Sequence, residues 1–230
     1  MRSVPQNALL VLLFLLCFYG LYASFMRGSA NAWYYRAEFS LREWIDEGGI
    51  PDQQRYDEAL LAIKKAQSLD SGHPHYAHIL GRIQYWGVES DYESIDSLPE
   101  IKKWYVKSTQ LRPLWPNVWI DLALLNENLE GYNTETQAYL EQALLAGPYD
   151  DSVVVGSIGV WLNNWSVLSG SDRARLFEQF SIAVDHPKLL KEVLILAQQI
   201  GRENILCIQL RINPAYEKKK ALGIVRKYCR

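Results

Sequence analysis

The sequence predicts an all-α protein: one N-terminal transmembrane helix, a solenoid of antiparallel helix pairs, and extra C-terminal helices. Three observations predict it. An uncharged apolar run, Ala8 to Met26, gives way to a polar chain rich in Trp and Tyr. Helix-capping residues and Pro or Gly stops recur downstream at short intervals. No stretch alternates as a half-buried strand would. Val153, Val154 and Val155 are β-branched, but Gly156, Gly159 and the helical spacing of Val160 and Asn164 argue against a strand.

The first element is the anchor. Residues 8–26 contain no charge. As a helix they reach about 28 Å, close to the hydrocarbon thickness of a bilayer. Backbone groups in lipid must pair with one another, which selects a helix. Tyr19, Tyr22 and Phe25 suit an interface. A cleavable signal peptide is the competing reading, with Gly28 and Ala30 as small residues before a cut. The length of the run and the neighbouring Arg27 favour an uncleaved anchor. Arg2 precedes the span, while Arg27, Arg36 and Arg42 follow it, so counting positive charges leans towards a cytoplasmic domain.

The next elements repeat. Tyr56–Pro74, Ile101–Pro113 and Thr136–Pro148 each read as a helix with Ala or Ser at a close-packed position and a Pro stop. Pro74 to Pro113 is 39 residues, and Pro113 to Pro148 is 35. Each is paired with a helix carrying an aromatic and then a small residue: Trp33 with Ala37, Tyr76 with Gly81, Trp119 with Ala123. Small residues allow close approach and aromatics fill the adjoining space. This pattern resembles the tetratricopeptide repeat, with about three degenerate units and an inserted loop from Gly87 to Ser97. After Asp150 the period is lost. Asp150 opens a helix through Val153–Trp165, Ser171 and Asp172 precede one at Arg173–Val184, Pro187 starts one that ends at Gly201, and a last helix follows Pro214. The domains are therefore 1–30, tail and anchor; 31–150, helical repeats; and 151–230, a helical extension with a basic tail.

Charge narrows the partners. Residues 211–230 hold seven Lys or Arg against Glu217, while the whole chain is −2, so the rest is acidic. A broad basic surface for nucleic acid is missing. Cys207 and Cys229 are the only cysteines outside the anchor. They could pair in an oxidising compartment, but a helical domain of this size does not need a staple, and Cys207 reads as a small core residue with Cys229 an exposed thiol.

Candidate chemistry is sparse. His73, His75 and His78 have a metal-like look, but no Cys or carboxylate falls at a ligand spacing, so exposed turn histidines are expected and no metal or cofactor is implied. Zincin, phosphate-loop, dinucleotide and nucleophile-elbow motifs are missing. The carboxylates of Asp91–Asp96 fall in a polar loop. Trp115 with Trp119, and Trp161 with Trp165, are spaced i, i+4 and would share a helix face. They suit core packing first, and a sugar or partner surface second. In the tail, Leu222, Val225 and Tyr228 oppose Lys218, Lys219 and Lys220, a pattern that fits either a solvated end or anionic lipid.

One stretch is more specific. Leu111–Ala123 reads L-R-P-L-W-P-N-V-W-I-D-L-A, followed by A-L-L-A-G-P-Y at Ala143–Tyr149 and by Trp165 with Leu168. It resembles the VpsP-type family of small anchored proteins associated with bacterial exopolysaccharide biosynthesis. The resemblance implies a cell-envelope role with the domain in the periplasm, and it supplies no catalytic residues. The expected function is a non-enzymatic scaffold in the bacterial inner membrane that binds proteins of a polysaccharide synthesis or export complex. The alternatives are a carbohydrate-binding protein that guides the polymer through its paired Trp residues, and a glycan lyase or hydrolase.

Overall fold

The computed structural model describes residues 6–229. Arg2 and Arg230, which entered the charge readings, lie outside the described residues. Within them the chain is all-α, with eleven α-helices, two short 3-10 segments and no strand. It divides into two compact units, one up to Leu111 and one from Arg112. The division falls inside the 31–150 stretch that the sequence groups as repeats.

In the first unit, α1 runs unbroken from Gln6 to Glu47 over 42 residues. The apolar span does not end at a linker. It continues as the first helix of the folded domain, because nothing between Ala8 and Glu47 breaks a helix except Gly20 and Gly28, each costing about 1 kcal/mol against Ala. The environment changes along its length. Large side chains from Leu9 to Phe25 are exposed, whereas Ala30, Tyr34, Ala37, Leu41 and Trp44 form one buried stripe. The helix stops at Gly48, whose φ of 79° suits glycine.

Helix α2, Gln53–Leu69, starts where the Asp52 carboxylate accepts from the Arg55 N–H at 2.8 Å. Its alanines at 59, 62 and 66 are fully buried and bring it close to α1. Helix α3, Pro74–Glu89, begins with Pro at its first turn. Helix α4, Leu98–Leu111, returns beside it. The hydroxyl of Ser108 donates to the Pro74 carbonyl at 2.9 Å and ties the two ends together. Gly81 is the small residue the repeat pattern asks for: a Cβ there would lie 2.5 Å from the Tyr105 ring. The predicted loop at Gly87–Ser97 is shorter than expected, since α3 extends to Glu89 and a 3-10 turn spans Ile95–Ser97. It folds back onto α2: Tyr92 stacks on Tyr56, whose hydroxyl donates to Glu93 at 2.7 Å.

The second unit opens with the hairpin of α5, Pro116–Glu130, and α6, Thr134–Ala146. Asn133 caps α6 by accepting from the Glu135 and Thr136 N–H groups. Its carboxamide also joins a buried cluster in which Asn126 donates to Thr136 at 3.0 Å. Helix α7, Asp151–Asn163, has the expected Asp150 cap. Helix α8, Gly170–Asp185, starts a turn earlier than the sequence suggests, because Ser169 rather than Ser171 accepts from the Asp172 N–H. Helix α9, Pro187–Ile200, starts and stops as expected, with Gly201 left-handed. Helix α10 spans Glu203–Ile212. The last predicted helix is not continuous: a 3-10 stretch, Pro214–Lys219, precedes a six-residue α11, Gly223–Tyr228.

Cys207 is buried as expected, but Cys229 is not a free thiol. The two form a disulfide with Cα atoms 5.3 Å apart. Packing of Val225 and its neighbours on the second core brings α11 to α10, which a linear view of a frayed basic end misses.

Hairpins α1–α2, α3–α4 and α5–α6 are antiparallel helix pairs of the tetratricopeptide-like kind, and α7–α11 are the extra C-terminal helices.

Candidate functional site

The four tryptophans do not form two equivalent faces. Helix α5 starts at Pro116, so Trp115 is its N-cap, with the Arg112 guanidinium 5.4 Å from its ring centre. Trp119 is half-buried, donates its indole N–H to the Pro113 carbonyl at 2.7 Å, and lies beside Tyr139. Trp161 is 1% exposed and belongs to the second core. The Tyr132 hydroxyl lies beside it, and burial, followed by the Asp172 charge, pushes that phenol up to about 12. Trp165 falls beyond the end of α7, with its ring edge-on to Phe177 and the Arg173 guanidinium 4.7 Å from its centre. The shared face expected from i, i+4 spacing requires both residues inside one helix, and in each pair one lies outside it. All four rings make intramolecular contacts.

Part of the basic tail is used within the chain. Leu222, Tyr228 and the buried Val225 pack on the second core, so the apolar side that one of the two readings turned towards lipid faces inward. Lys219 pairs with Asp185 at 3.3 Å and Lys220 pairs with Glu217, while Lys218 is exposed.

The histidines are aromatic packing elements. His73 stacks on Tyr76 at 4.2 Å, and His75 meets Tyr34 edge-on. His78 is 3% exposed beside Tyr105, not an exposed turn residue, because α3 already begins at Pro74. Among the described residues no group of three or more His, Cys, Asp or Glu is placed to hold a metal ion.

One carboxylate is tied up between helices. Glu127 on α5 accepts from the side-chain amides of Asn163 and Asn164 at the end of α7. Burial raises its pKa, and the two amide donors oppose that rise.

Sequence reasoning overlooked a groove of about 480 Å³ in the first unit. It is lined by Lys64 and Gln67 from α2, Leu80 and Gln84 from α3, and Glu100, Trp104 and Lys107 from α4. Gln67 and Gln84 are 7% and 9% exposed. The Gln67 amide donates to the Ser71 carbonyl at 3.2 Å, but the side-chain carbonyl oxygen of each glutamine is buried with no hydrogen-bond partner among the described residues. The signal was present: Gln67 follows Ile63, and Gln84 follows Leu80, by four residues on otherwise apolar helix stripes.

No family model matches the sequence, and no curated protein matches it. The resemblance to the VpsP-type family therefore gains no support from either comparison. Among solved structures, the chain is similar to one described as "Functional Characterization of Pseudomonas Aeruginosa pilF", at 14% identity, over 85% of this chain and 99% of that one, with a TM-score of 0.33. The fold assignment rests on the helix hairpins themselves.

Proposed function

We propose that this protein is a single-pass, membrane-anchored adaptor without catalytic activity. Its helical hairpins bind a protein of a bacterial polysaccharide synthesis or export complex. The observation that carries the reading is the continuity of α1: one helix with an exposed apolar span of mean hydropathy 2.3 runs directly into the first hairpin core. A helix of that kind holds the hairpins of the first unit at a short distance from a bilayer, as suits a docking platform beside a membrane complex. Ala30 is fully buried in that core, so a cut after it would remove a packed part of the first hairpin, which supports an uncleaved anchor. The Cys207–Cys229 bond suits an oxidising compartment and supports the periplasmic side over the charge count. The link to polysaccharide rests on the VpsP-type resemblance of Leu111–Ala123 and Ala143–Tyr149.

The test has two arms. A reporter active only outside the cytoplasm, fused after Arg230, is expected to be active, and its cytoplasmic counterpart silent; the reverse result ends the periplasmic assignment. Crosslinking of the full-length protein in its native membrane is expected to capture an envelope protein, and deletion to reduce polymer output. Normal polymer output in the deletion strain would remove the polysaccharide role, and capture of no envelope protein would remove the adaptor role.

A further inference from the structure

We propose that the groove between α2, α3 and α4 binds an acidic saccharide, a uronate-bearing segment two to three sugars long. The inference stands on the groove itself and is independent of the adaptor reading.

Two buried carbonyl acceptors carry it. A buried polar group without a partner is destabilising, so native structures nearly always satisfy such groups. Here Gln67 on α2 and Gln84 on α3 both line one groove, and the buried carbonyl oxygen of each lacks a donor. A ligand that fits them brings hydrogen-bond donors, as sugar hydroxyls do, and hydroxyls also accept from neighbouring ammonium groups.

Charge defines the rest. Lys64 is exposed and makes no ion pair among the described residues. The ammonium of Lys107 lies 5.4 Å from the centre of the Trp104 ring. The one acid on the groove, Glu100, is paired with Lys103 at 3.2 Å. Two ammonium groups therefore face a ligand with little opposing charge, which favours a carboxylate. The half-buried Trp104 indole offers an aromatic plane for the C–H side of a sugar ring. The volume falls within the range of small-molecule clefts.

An extended or helical peptide fits less well. Those modes need an open strand edge or a row of apolar pockets, and the apolar side chains here are Leu80 and Trp104.

The experiment uses the full-length chain in nanodiscs of zwitterionic lipid, with isothermal titration by trigalacturonate, neutral maltotriose and triglutamate. Saturable binding of trigalacturonate is expected, with maltotriose at least about tenfold weaker, a loss expected of a missing charge-assisted contact. Gln84→Leu is expected to weaken binding about tenfold while the melting temperature holds or rises, because it removes a buried acceptor without a partner. A purely structural glutamine would lower the melting temperature and leave binding unchanged, which overturns the proposal. Lys64→Ala, at an exposed position that folding does not need, is expected to weaken binding and reduce its salt dependence. No saturable binding of trigalacturonate, or equal affinity for maltotriose, would also overturn it. A preference for triglutamate would reassign the groove to acidic peptides.

Discussion

The two units bury apolar surface in different ways. Of the fourteen residues in the first core, nine are alanine or aromatic; of the twenty-four in the second, six are. The first core therefore depends on shape. Alanines at 30, 37, 59, 62 and 66 let helices approach, and Tyr34, Trp44, Tyr56 and Tyr76 fill what remains. The second depends on Val, Leu and Ile burial, roughly 25 cal/mol for each Å² removed from water. It closes its short C-terminal end with a disulfide instead of a longer helix. A core built on shape tolerates added volume poorly.

The largest expected effect sharpens this contrast at the second unit. Replacing Cys207 and Cys229 with Ser opens a link across a sequence separation of 22. Loop-closure entropy alone puts the loss at about 3 kcal/mol. Hydrogen exchange on the full chain is expected to show protection falling in α9–α11 and holding in α1–α4. Equal losses in both units would break the comparison.

A smaller effect is expected from a single methyl group in the first unit. Gly87→Ala would place a Cβ 2.6 Å from the Tyr56 ring, which the Glu93 hydrogen bond holds in place. The cost is expected at about 1–3 kcal/mol. Gly28→Ala, with nothing within 4 Å, is expected to be neutral or stabilising by up to about 1 kcal/mol. Thermal unfolding separates the two, and similar melting temperatures would show that the first core has slack.

The smallest concerns pH. Burial raises the folded-state pKa of Glu127 above its ordinary 4.5. Between those two values the folded state keeps a proton that the unfolded chain has lost, so stability falls as pH rises through that window and stays lowered above it. Glu127→Gln keeps an acceptor for Asn163 and Asn164 and removes the charge. It is expected to flatten the fall just above 4.5 and to raise stability at neutral pH by less than about 1 kcal/mol. Denaturant unfolding at several pH values checks it, and an unchanged slope would show that Glu127 is effectively solvated.

Much of the helix order was legible because local chemistry writes it. Caps at Asp150 and Pro187 and stops at Gly201 act within one turn, so a linear reading finds them. The candidate site was not legible in the same way. The Trp spacings suggested shared faces, but helix ends at Pro116 and Asn163 moved Trp115 and Trp165 off them. The tail looked amphipathic, and its apolar side was claimed by the second core. The groove joins three helices: each glutamine interrupts an apolar stripe in the sequence, but only its packed neighbours leave its carbonyl oxygen without a partner.

By itself the sequence determined the all-α class, the apolar span, the hairpin pattern and most helix ends, because each follows from periodicity, capping or composition over a few residues. Only the tertiary structure decided that α1 passes unbroken from the span into the core, that Cys207 meets Cys229, that Trp161 and His78 are interior, and that Gln67, Gln84 and Trp104 share a groove. Those outcomes depend on which side chains far apart in the chain exclude water together, and local signals carry no record of that.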